Sequence, residues 1–358
     1  MKKIILLIIC LFFLNGCYDY VEIDDLVIIS GILIDYKDNQ FQITSQVLEN
    51  ESETKVKVYT NKCNMIDECI SEISKLSNKD IFISHLKVLI ITENVIKNNV
   101  NYYDFFLRNS KSKMNFDVYY VENKYKDELL NIYKDGKGSS LYLKDLIKFN
   151  NKIFSSSSPL PFLELMYKKM EYGITPIYPN IVINNNNNEK SLYLQDLVVF
   201  NDNYKKILLN DQEGIYYNIV SNKCNKTNLL FDCDKDKYSL TINNAKTKYK
   251  WKNNTLYLNI KLSTKLNNYN CKYDLNKSDS IKKLTTISNN QIKKNILNLI
   301  NKSKNNNVDF FGFGNYIYKH DKRYFDFKNK NWNNEVKKLN IKVNIDTTIT
   351  SIGELRKW

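Results

Sequence analysis

Residues 27–47 read VIISGILIDYKDNQFQITSQV, and they hold the pattern on which the fold prediction is built. The first nine residues are a run of β-branched and other apolar side chains that ends at the turn-forming residues YKDN. After this turn, Phe41, Ile43, Ser45 and Val47 alternate with polar residues, as is typical of a strand with one buried face. The stretch therefore predicts an antiparallel β-hairpin.

Strand and helix patterns follow one another downstream of this hairpin. Short runs rich in Val, Ile and Tyr predict strands, and apolar residues at helical spacing predict amphipathic helices. Strands are predicted at 55–59, 86–92 and 116–122, and helices at 64–77 and 102–108. This mixture indicates an α+β fold.

The second half of the chain is richer in strands. The run NNNNN at 184–188 predicts a loop and a domain boundary, and residues 194–220 have the pattern strand, turn, strand, helix. Alternating strands dominate residues 238–265, a long helical pattern runs from Ile281 to Ile300, and a last strand lies near 341–347. We therefore expect several domains with mixed and antiparallel sheets and packed helices.

The N-terminus has the features of an export signal. Lys2 and Lys3 precede an apolar run, residues 4–14, that is shorter than the roughly 20 residues needed to cross a bilayer as a helix. The alternative is a buried core helix. Residues 14–17, LNGC, resemble the bacterial lipobox, in which the cysteine is acylated with diacylglycerol and the chain is cut before it. This resemblance implies a lipoprotein signal peptide at 1–16 and a lipid on Cys17.

The net charge of +14 restricts the possible partners. The lysines are dispersed among asparagines, without the clustered arginines and interleaved aromatic residues that are typical of nucleic-acid binding. Attraction to an anionic membrane surface is the interpretation that agrees with export. The alternative is that the lysine bias reflects an AT-rich genome and has no role in binding.

Five cysteines remain after those in and beside the signal. Cys63 and Cys69 lie in a segment that looks helical, where a spacing of six residues does not bring two side chains together. Cys224 and Cys233 flank a short stretch and are the candidate disulfide, with unpaired thiols as the alternative. No spacing is typical of a zinc site, and we expect no metal ligands.

The sequence offers no catalytic constellation. Its two histidines, His85 and His320, lie apart from any metal-ligand spacing, and the motifs of common hydrolases and phosphate-binding loops are absent. GKGSS at 136–140 lacks the spacing of a phosphate loop and predicts a structural loop. DFFGFG at 309–314 predicts a sharp turn whose rings pack on the core. We therefore expect no catalytic residue.

Motifs spread over most of the chain resemble the Ger(x)C family, the C-subunit lipoproteins of spore germinant receptors. The stretch GCYDYVEIDDLVIISGILID at 16–35 resembles the start of the mature family sequence, with Tyr18 where the family usually has tryptophan. Further motifs follow in the family's order, and a basic pair usual before the final glycine is missing here. The matching residues are Gly16, Cys17, Asp19, Glu22, Leu26, Gly31, Asp35, Arg108, Gly173, Pro176, Pro179, Asp309, Gly312, Gly314, Trp332 and Gly353.

The resemblance implies an architecture and a cellular role. It implies a three-domain α+β protein, which we divide into 17–183, 191–236 and 237–353. It also implies a noncatalytic subunit, lipid-anchored on the outer face of the inner spore membrane beside an A and a B membrane subunit. Ligand recognition in that family is usually assigned to the membrane subunits. No cofactor is implied, apart from covalent lipid on Cys17, a diacylglycerol with or without an N-acyl chain.

Two other classes of exported protein are alternatives. A solute-binding lipoprotein of a transporter would show two lobes of repeated βαβ units, whereas hairpin patterns dominate the C-terminal half. An extracytoplasmic hydrolase would need a cleft with convergent polar groups. Near the anchor, Tyr18 and Tyr20 are expected either to contact partner subunits or to pack against the first domain.

Overall fold

The computed structural model describes residue 22 and residues 25–49, 52–186, 189–328 and 332–353. Strands β1 (Leu26–Lys37) and β2 (Gln40–Glu49) pair antiparallel, which confirms the predicted hairpin. Asp38 and Asn39 form its tight turn with φ angles of 54° and 60°. Short polar side chains tolerate this left-handed conformation, so the turn residues fix the register of the pair.

A large mixed sheet is built outward from this hairpin. Among the described residues it holds nine strands in the order β11-β10-β9-β6-β5-β1-β2-β3, with β4 paired to β1. Strands β4, β5, β6 and β9 run parallel to β1, and the other pairs of neighbouring strands are antiparallel. The remaining strands are β3 (Ser52–Cys63), β4 (Asp80–Phe82), β5 (Val88–Thr92), β6 (Asp117–Val121), β9 (Ile177–Asn186), β10 (Glu189–Phe200) and β11 (Lys206–Leu209).

Helices cover both faces of the large sheet. On one face, α1 (Ile66–Ser77), α2 (Glu93–Lys97), α3 (Asp104–Arg108) and α6 (Phe162–Met170) bury apolar side chains in a common core. On the other face, α4 (Lys126–Leu129) and α5 (Ser139–Ile153) form a second core. A two-stranded ribbon, β7 (Tyr133–Lys134) and β8 (Lys137–Gly138), lies between these two helices, and a 3-10 turn (Asn123–Tyr125) precedes α4. Because both faces are covered, the central strands are buried throughout.

The C-terminal part is a four-stranded sheet covered by a long helix. Strands β12 (Thr227–Cys233), β13 (Asp236–Lys252) and β14 (Thr255–Tyr269) are antiparallel, and β15 (Asn340–Ser351) lies parallel to β14. A parallel pair needs a long crossover, and α8 (Ser278–Asn305) provides it, burying Leu284, Ile292, Ile296 and Ile300 as its spacing predicts. The other elements are α7 (Asp211–Val220), α9 (Phe313–His320), α10 (Lys322–Lys328), α11 (Trp332–Glu335) and a 3-10 turn (Val336–Lys338).

The asparagine run departs from the sequence prediction. Residues 184–186 continue strand β9 and pair with residues 189–191 of β10 instead of forming a loop. Backbone hydrogen bonds hold a hairpin whatever the side chains are, and Asn184 and Asn185 point to solvent. The limits of the predicted domains, 17–183, 191–236 and 237–353, stay predictions. Strands β10 and β11 extend the first sheet, whereas α7 shares its core with the C-terminal sheet.

The predicted loop at GKGSS is partly ordered structure. Gly138 ends β8, and Ser139 and Ser140 are buried in the first turn of α5. Their polar groups bind the buried Gln46, whose amide nitrogen donates to Ser139 Oγ at 3.0 Å and whose amide oxygen accepts from the Ser140 N–H at 3.0 Å. The segment therefore ties helix α5 to strand β2 and has no phosphate-binding form.

The cysteine pairing differs from the prediction. Cys63 ends β3 and faces Cys69 in the first turn of α1, because the chain reverses between them, and the two form a disulfide with 5.6 Å between Cα atoms. Cys233 pairs with Cys271, not with Cys224, because the end of β12 lies beside the residues that follow β14. Cys224 is a buried free thiol, and burial raises its pKa to about 11.

We expect the two disulfides to contribute unequally to stability. In the chain-entropy description, replacing Cys233 and Cys271 by alanine lowers the free energy of unfolding by about 4 kcal/mol, and replacing Cys63 and Cys69 by about 2 kcal/mol, because the first pair closes the longer loop. Urea unfolding of the two double variants measures both losses. Cys224→Ala is the control for loss of a buried thiol, and equal losses for the two pairs would contradict the expectation.

Candidate functional site

The carboxylate of Asp309 is buried without any exposed surface and is surrounded by N–H donors. One oxygen accepts from the backbone N–H groups of Gly312 at 2.9 Å and Phe313 at 3.0 Å. The other accepts from the N–H of Gly314 at 2.7 Å and from the Trp332 indole Nε1 at 2.8 Å. Four neutral donors therefore take the place of water around a buried carboxylate.

The two glycines make this arrangement possible. Gly312 has a φ of +74° and immediately precedes helix α9 as its N-cap, so its left-handed backbone turns the first N–H groups of the helix toward Asp309. Gly314 lies against the Trp332 ring, where an added Cβ would stand 2.3 Å from the indole nitrogen. The rings of Phe310, Phe311 and Phe313 are buried, which confirms the predicted sharp turn packed on the core.

A third glycine joins this turn to the first part of the chain. Gly173, between α6 and β9, has a φ of +68°, and an added Cβ would stand 2.6 to 2.7 Å from backbone atoms of Gly314 and Asn315. Its carbonyl accepts from the Asn315 N–H at 2.9 Å. Two residues later, the Thr175 N–H donates to the Asp309 carbonyl at 2.8 Å, and Thr175 Oγ1 accepts from the Asp309 N–H at 3.2 Å.

We name this set of residues the Asp309 joint, and it comprises Gly173, Thr175, Asp309, Gly312, Gly314, Asn315 and Trp332. The Asn315 side chain extends it, because its amide nitrogen donates to Glu171 Oε2 at 3.1 Å and to the Tyr172 carbonyl at 3.2 Å. Its amide oxygen accepts from the Tyr167 hydroxyl on α6. The joint thus fastens the connection between α6 and β9 to the C-terminal part.

The carboxylate of Asp309 serves in this joint as a hydrogen-bond acceptor. Burial raises the pKa of Asp309 to about 6, and the bonds from Gly314, Trp332, Phe313 and Gly312 oppose a larger rise. Both oxygens are already occupied by donors from the protein itself. No cluster of three metal-ligating side chains occurs within the described ranges, so the carboxylate has no such cluster around it.

Asp35 is a second buried carboxylate, at the end of β1. It accepts from the Thr92 hydroxyl at 2.6 Å, from the Asn94 amide at 3.0 Å and from the ammonium of Lys126. Burial alone would raise the pKa of Asp35, but the donors, led by Lys126, outweigh burial and hold the pKa below its ordinary value. The pair fixes helix α4 over the end of the large sheet.

The other predicted site residues lie apart from both carboxylates. Gly31 packs against α5, where an added Cβ would stand 2.7 Å from the Ser140 Cβ. Arg108 is exposed and pairs with Asp104 one turn earlier. Pro176 follows the joint in sequence, and Pro179 lies on β9 opposite Leu197. Glu22 is exposed, and the predictions for Cys17, Tyr18 and Asp19 fall outside the described residues.

The sequence reading missed the partners of the two carboxylates. Thr175 precedes the motif residue Pro176, and Asn315 follows the motif residue Gly314. This adjacency is the one feature of the sequence that points to them as site residues. Thr92 ends the otherwise apolar strand β5 and Asn94 follows it two residues later, a place where polar side chains often lie at the edge of a sheet. Lys126 lies 91 residues from Asp35, and nothing local in the sequence connects them.

Two protein-family models match adjoining parts of the chain. A model described as "Spore germination protein N-terminal domain" matches residues 19–183, and one described as "Spore germination B3/ GerAC like, C-terminal" matches residues 195–353. The chain belongs to the GerAC-like family of spore germination proteins. This result confirms the resemblance to the Ger(x)C family.

Individual relatives agree with this membership. The chain is 25% identical over 391 residues to spore germination protein KC of Bacillus subtilis (strain 168), an alignment that covers 98% of this chain and 95% of that protein. It is 23% identical over 175 residues to spore germination protein A3 of the same strain, covering 46% of each. The crystal structure of the GerBC protein shares the fold, with a TM-score of 0.57 and 14% identity over 89% of this chain and 97% of that one. The predicted α+β fold class is confirmed.

The two buried carboxylates predict opposite pH dependences. Asp309 has a raised pKa, so the folded protein holds a proton that the unfolded chain releases between about pH 4 and pH 6. The contribution of Asp309 to the free energy of unfolding is therefore largest at low pH. It falls by about 3 kcal/mol as the pH rises through 6. Asp35 has a lowered pKa, so its stabilisation is present near pH 7 and is lost on acidification.

The measurement is urea unfolding of the wild type, Asp309→Asn and Asp35→Asn between about pH 2 and pH 7, which includes the titration ranges of both carboxyls. The free-energy difference between the wild type and Asp309→Asn should fall as pH rises. The same difference for Asp35→Asn should grow as pH rises to about 4 and stay constant above it, so each variant is the control for the other. Differences that change in the same direction for both variants would contradict the assignment.

We expect Gly314→Ala to destabilise the joint through crowding. The new methyl group would overlap the Trp332 indole, and such overpacking costs about 1–3 kcal/mol. Trp332→Leu in the same chain should recover part of this cost, because the coupling is steric. The single variant Trp332→Leu completes the double-mutant cycle and is the control for loss of the indole itself. If Gly314→Ala lowers the free energy of unfolding equally in the wild type and in Trp332→Leu, the packing argument is wrong.

Proposed function

We propose that this chain is the noncatalytic, lipid-anchored C subunit of a germinant receptor complex. The observation that carries the proposal is the family match, which extends over residues 19–183 and 195–353 in the family's order. Spore germination protein KC, which aligns with nearly the whole chain, supports the same role. The subunit would act in spore germination by assembling the complex or transmitting its signal.

The noncatalytic part of the proposal is supported by the form of the buried carboxylates. Asp309 and Asp35 lie at family-motif positions and are buried, and buried carboxyls are candidates for a catalytic acid or base. Each is instead occupied by donors from the protein, Asp309 by N–H groups and Asp35 by Thr92, Asn94 and Lys126. Their positions support roles in holding elements together.

The anchoring part of the proposal concerns Cys17. We infer that its thiol carries a diacylglycerol, with or without an N-acyl chain, and that no other cofactor is bound. Two acyl chains hold a protein at a membrane where one binds only marginally. No helix of the described ranges is long and apolar enough to cross a membrane. The proposed location is the extracytoplasmic side of the cell membrane and, in spores, the outer face of the inner membrane.

The proposed partners are the A and B membrane subunits of the receptor. Anchoring to the same bilayer raises the local concentration of the chain near these subunits, so that modest contacts suffice for assembly. The chain's excess of lysines supports attraction to an anionic membrane surface. The relatives reported above carry germination names, and they give no support to the alternative of a transporter's solute-binding lipoprotein.

The test is release of dipicolinate from spores that lack this gene. We expect deletion to abolish the response to one class of nutrient and the wild-type gene to restore it. The Cys17→Ala gene should restore a rate lower by about tenfold or more, because the untethered chain loses its high local concentration.

Two controls make the test decisive. Immunoblots must show that the Cys17→Ala protein is exported in normal amount, and Cys224→Ala, which alters a buried thiol elsewhere, should restore germination fully. The deletion is repeated in spores from which other receptors have been removed, so that redundancy cannot mask the loss. Normal germination of those spores on every nutrient tested would overturn the proposal.

A further inference from the structure

A cavity of about 400 Å³ lies where three parts of the fold meet. Helix α6 contributes one wall, α7 and the turn after it contribute the second, and residues around the start of α9 contribute the third. This volume is within the range of pockets that hold small molecules. None of the family-motif residues singled out from the sequence lines it.

Three charged side chains face this cavity, and their charges do not sum to zero. Glu164 Oε1 stands 2.8 Å from the ammonium of Lys168 and 2.6 Å from the ammonium of Lys223. One carboxylate therefore serves two cations, which leaves the group with an excess of one positive charge. The Lys168 side chain is only 7% exposed, so water screens this charge weakly.

The charged groups are held in place before any ligand arrives. Glu164 and Lys168 are one turn apart on α6, and the Lys168 ammonium also lies 3.4 Å from the Tyr217 hydroxyl. The backbone N–H of Lys223 donates to the Asn218 carbonyl at 2.8 Å, which fixes the start of its side chain. Burial alone would raise the pKa of Glu164, but the two lysines outweigh it and keep the carboxyl ionised.

The remaining wall is mostly apolar and aromatic. Aromatic rings and two aliphatic side chains surround the charged group, and at the polar margin the Asn222 side chain forms hydrogen bonds with the Thr247 backbone. A ligand that fits this lining has one negative group for the lysines and an apolar body for the rings. The apolar lining residues are Ile174, Tyr217, Val220, Tyr249, Phe310, Phe311 and Tyr316.

We propose that this cavity binds a small organic carboxylate, with the carboxylate beside Lys168 and Lys223 and the apolar body against the aromatic wall. The inference is independent of the proposed place of the chain in a receptor. Binding would neutralise the excess charge and bridge α6, α7 and the segment that leads into α9.

The experiment is calorimetric titration of the purified full-length protein with benzoate as the probe. Benzamide, which has the same shape without the charge, is the ligand control. We expect saturable binding of benzoate and no measurable binding of benzamide. Lys223→Gln should weaken benzoate binding by about tenfold or more, because it removes a charge-assisted hydrogen bond and the excess charge.

The variant Glu164→Gln provides the sharper test, because it changes affinity in the opposite direction. It leaves both lysines without their shared carboxylate, so benzoate should bind more tightly than to the wild type. Lys302→Gln is the matched control, because Lys302 pairs with Glu213 outside the cavity and its loss should leave affinity unchanged. Cooperative thermal unfolding of each variant shows that it is folded.

Three results would overturn the proposal. They are the absence of saturable benzoate binding to the wild type, equal binding of benzamide, and equal affinity in Lys223→Gln and Lys302→Gln. None of these outcomes depends on the germination phenotype. Failure of this inference therefore leaves the proposed function standing, and the reverse also holds.

Discussion

A carboxylate removed from water must have its oxygens filled by donors, and this requirement at Asp309 determines the residues around it. Backbone N–H groups supply three of the donors only if the chain turns through a left-handed residue, which is Gly312. The fourth donor, Trp332, reaches the carboxylate only over a residue without a side chain, which is Gly314. The backbone at Gly173 can then lie against the same turn.

The Asp309 joint lies between the large sheet and the C-terminal sheet. The segment that carries Gly173 and Thr175 leads from α6 directly into β9, a strand of the large sheet. Fixing this segment to Asp309 therefore connects the large sheet and its helices with the C-terminal sheet. The cavity with Lys168 and Lys223 borders the same connection, because Ile174 lines it. Asp35, paired with a lysine, fastens only elements within the first part.

Local patterns in the sequence are sufficient to predict those helices and strands whose structure is determined by the spacing of their own side chains. The hairpin around Asp38 and the spacing of Leu284, Ile292 and Ile296 in α8 are examples. The loop predicted at residues 184–186 is a strand in the structure. Strand pairing there depends on backbone hydrogen bonds, which produce no pattern of apolar residues in the sequence. The cysteine pairs and the meeting of Gly173 with Gly314 depend on contacts between distant segments, and a single sequence records no such distances. Family resemblance supplied the joint's motif residues without showing that they converge.

The parallel pairing of β14 with β15 has a consequence for the time course of folding. Thr255 pairs with Asn340, so the chain between the two strands, including all of α8, must be in place before this pair can close. Such long-range pairing is slow compared with the formation of a local hairpin such as β1–β2. Until β15 arrives, β14 offers an open edge with unpaired backbone groups, which is a template for wrong association. The C-terminal sheet is therefore expected to close after the local hairpins have formed.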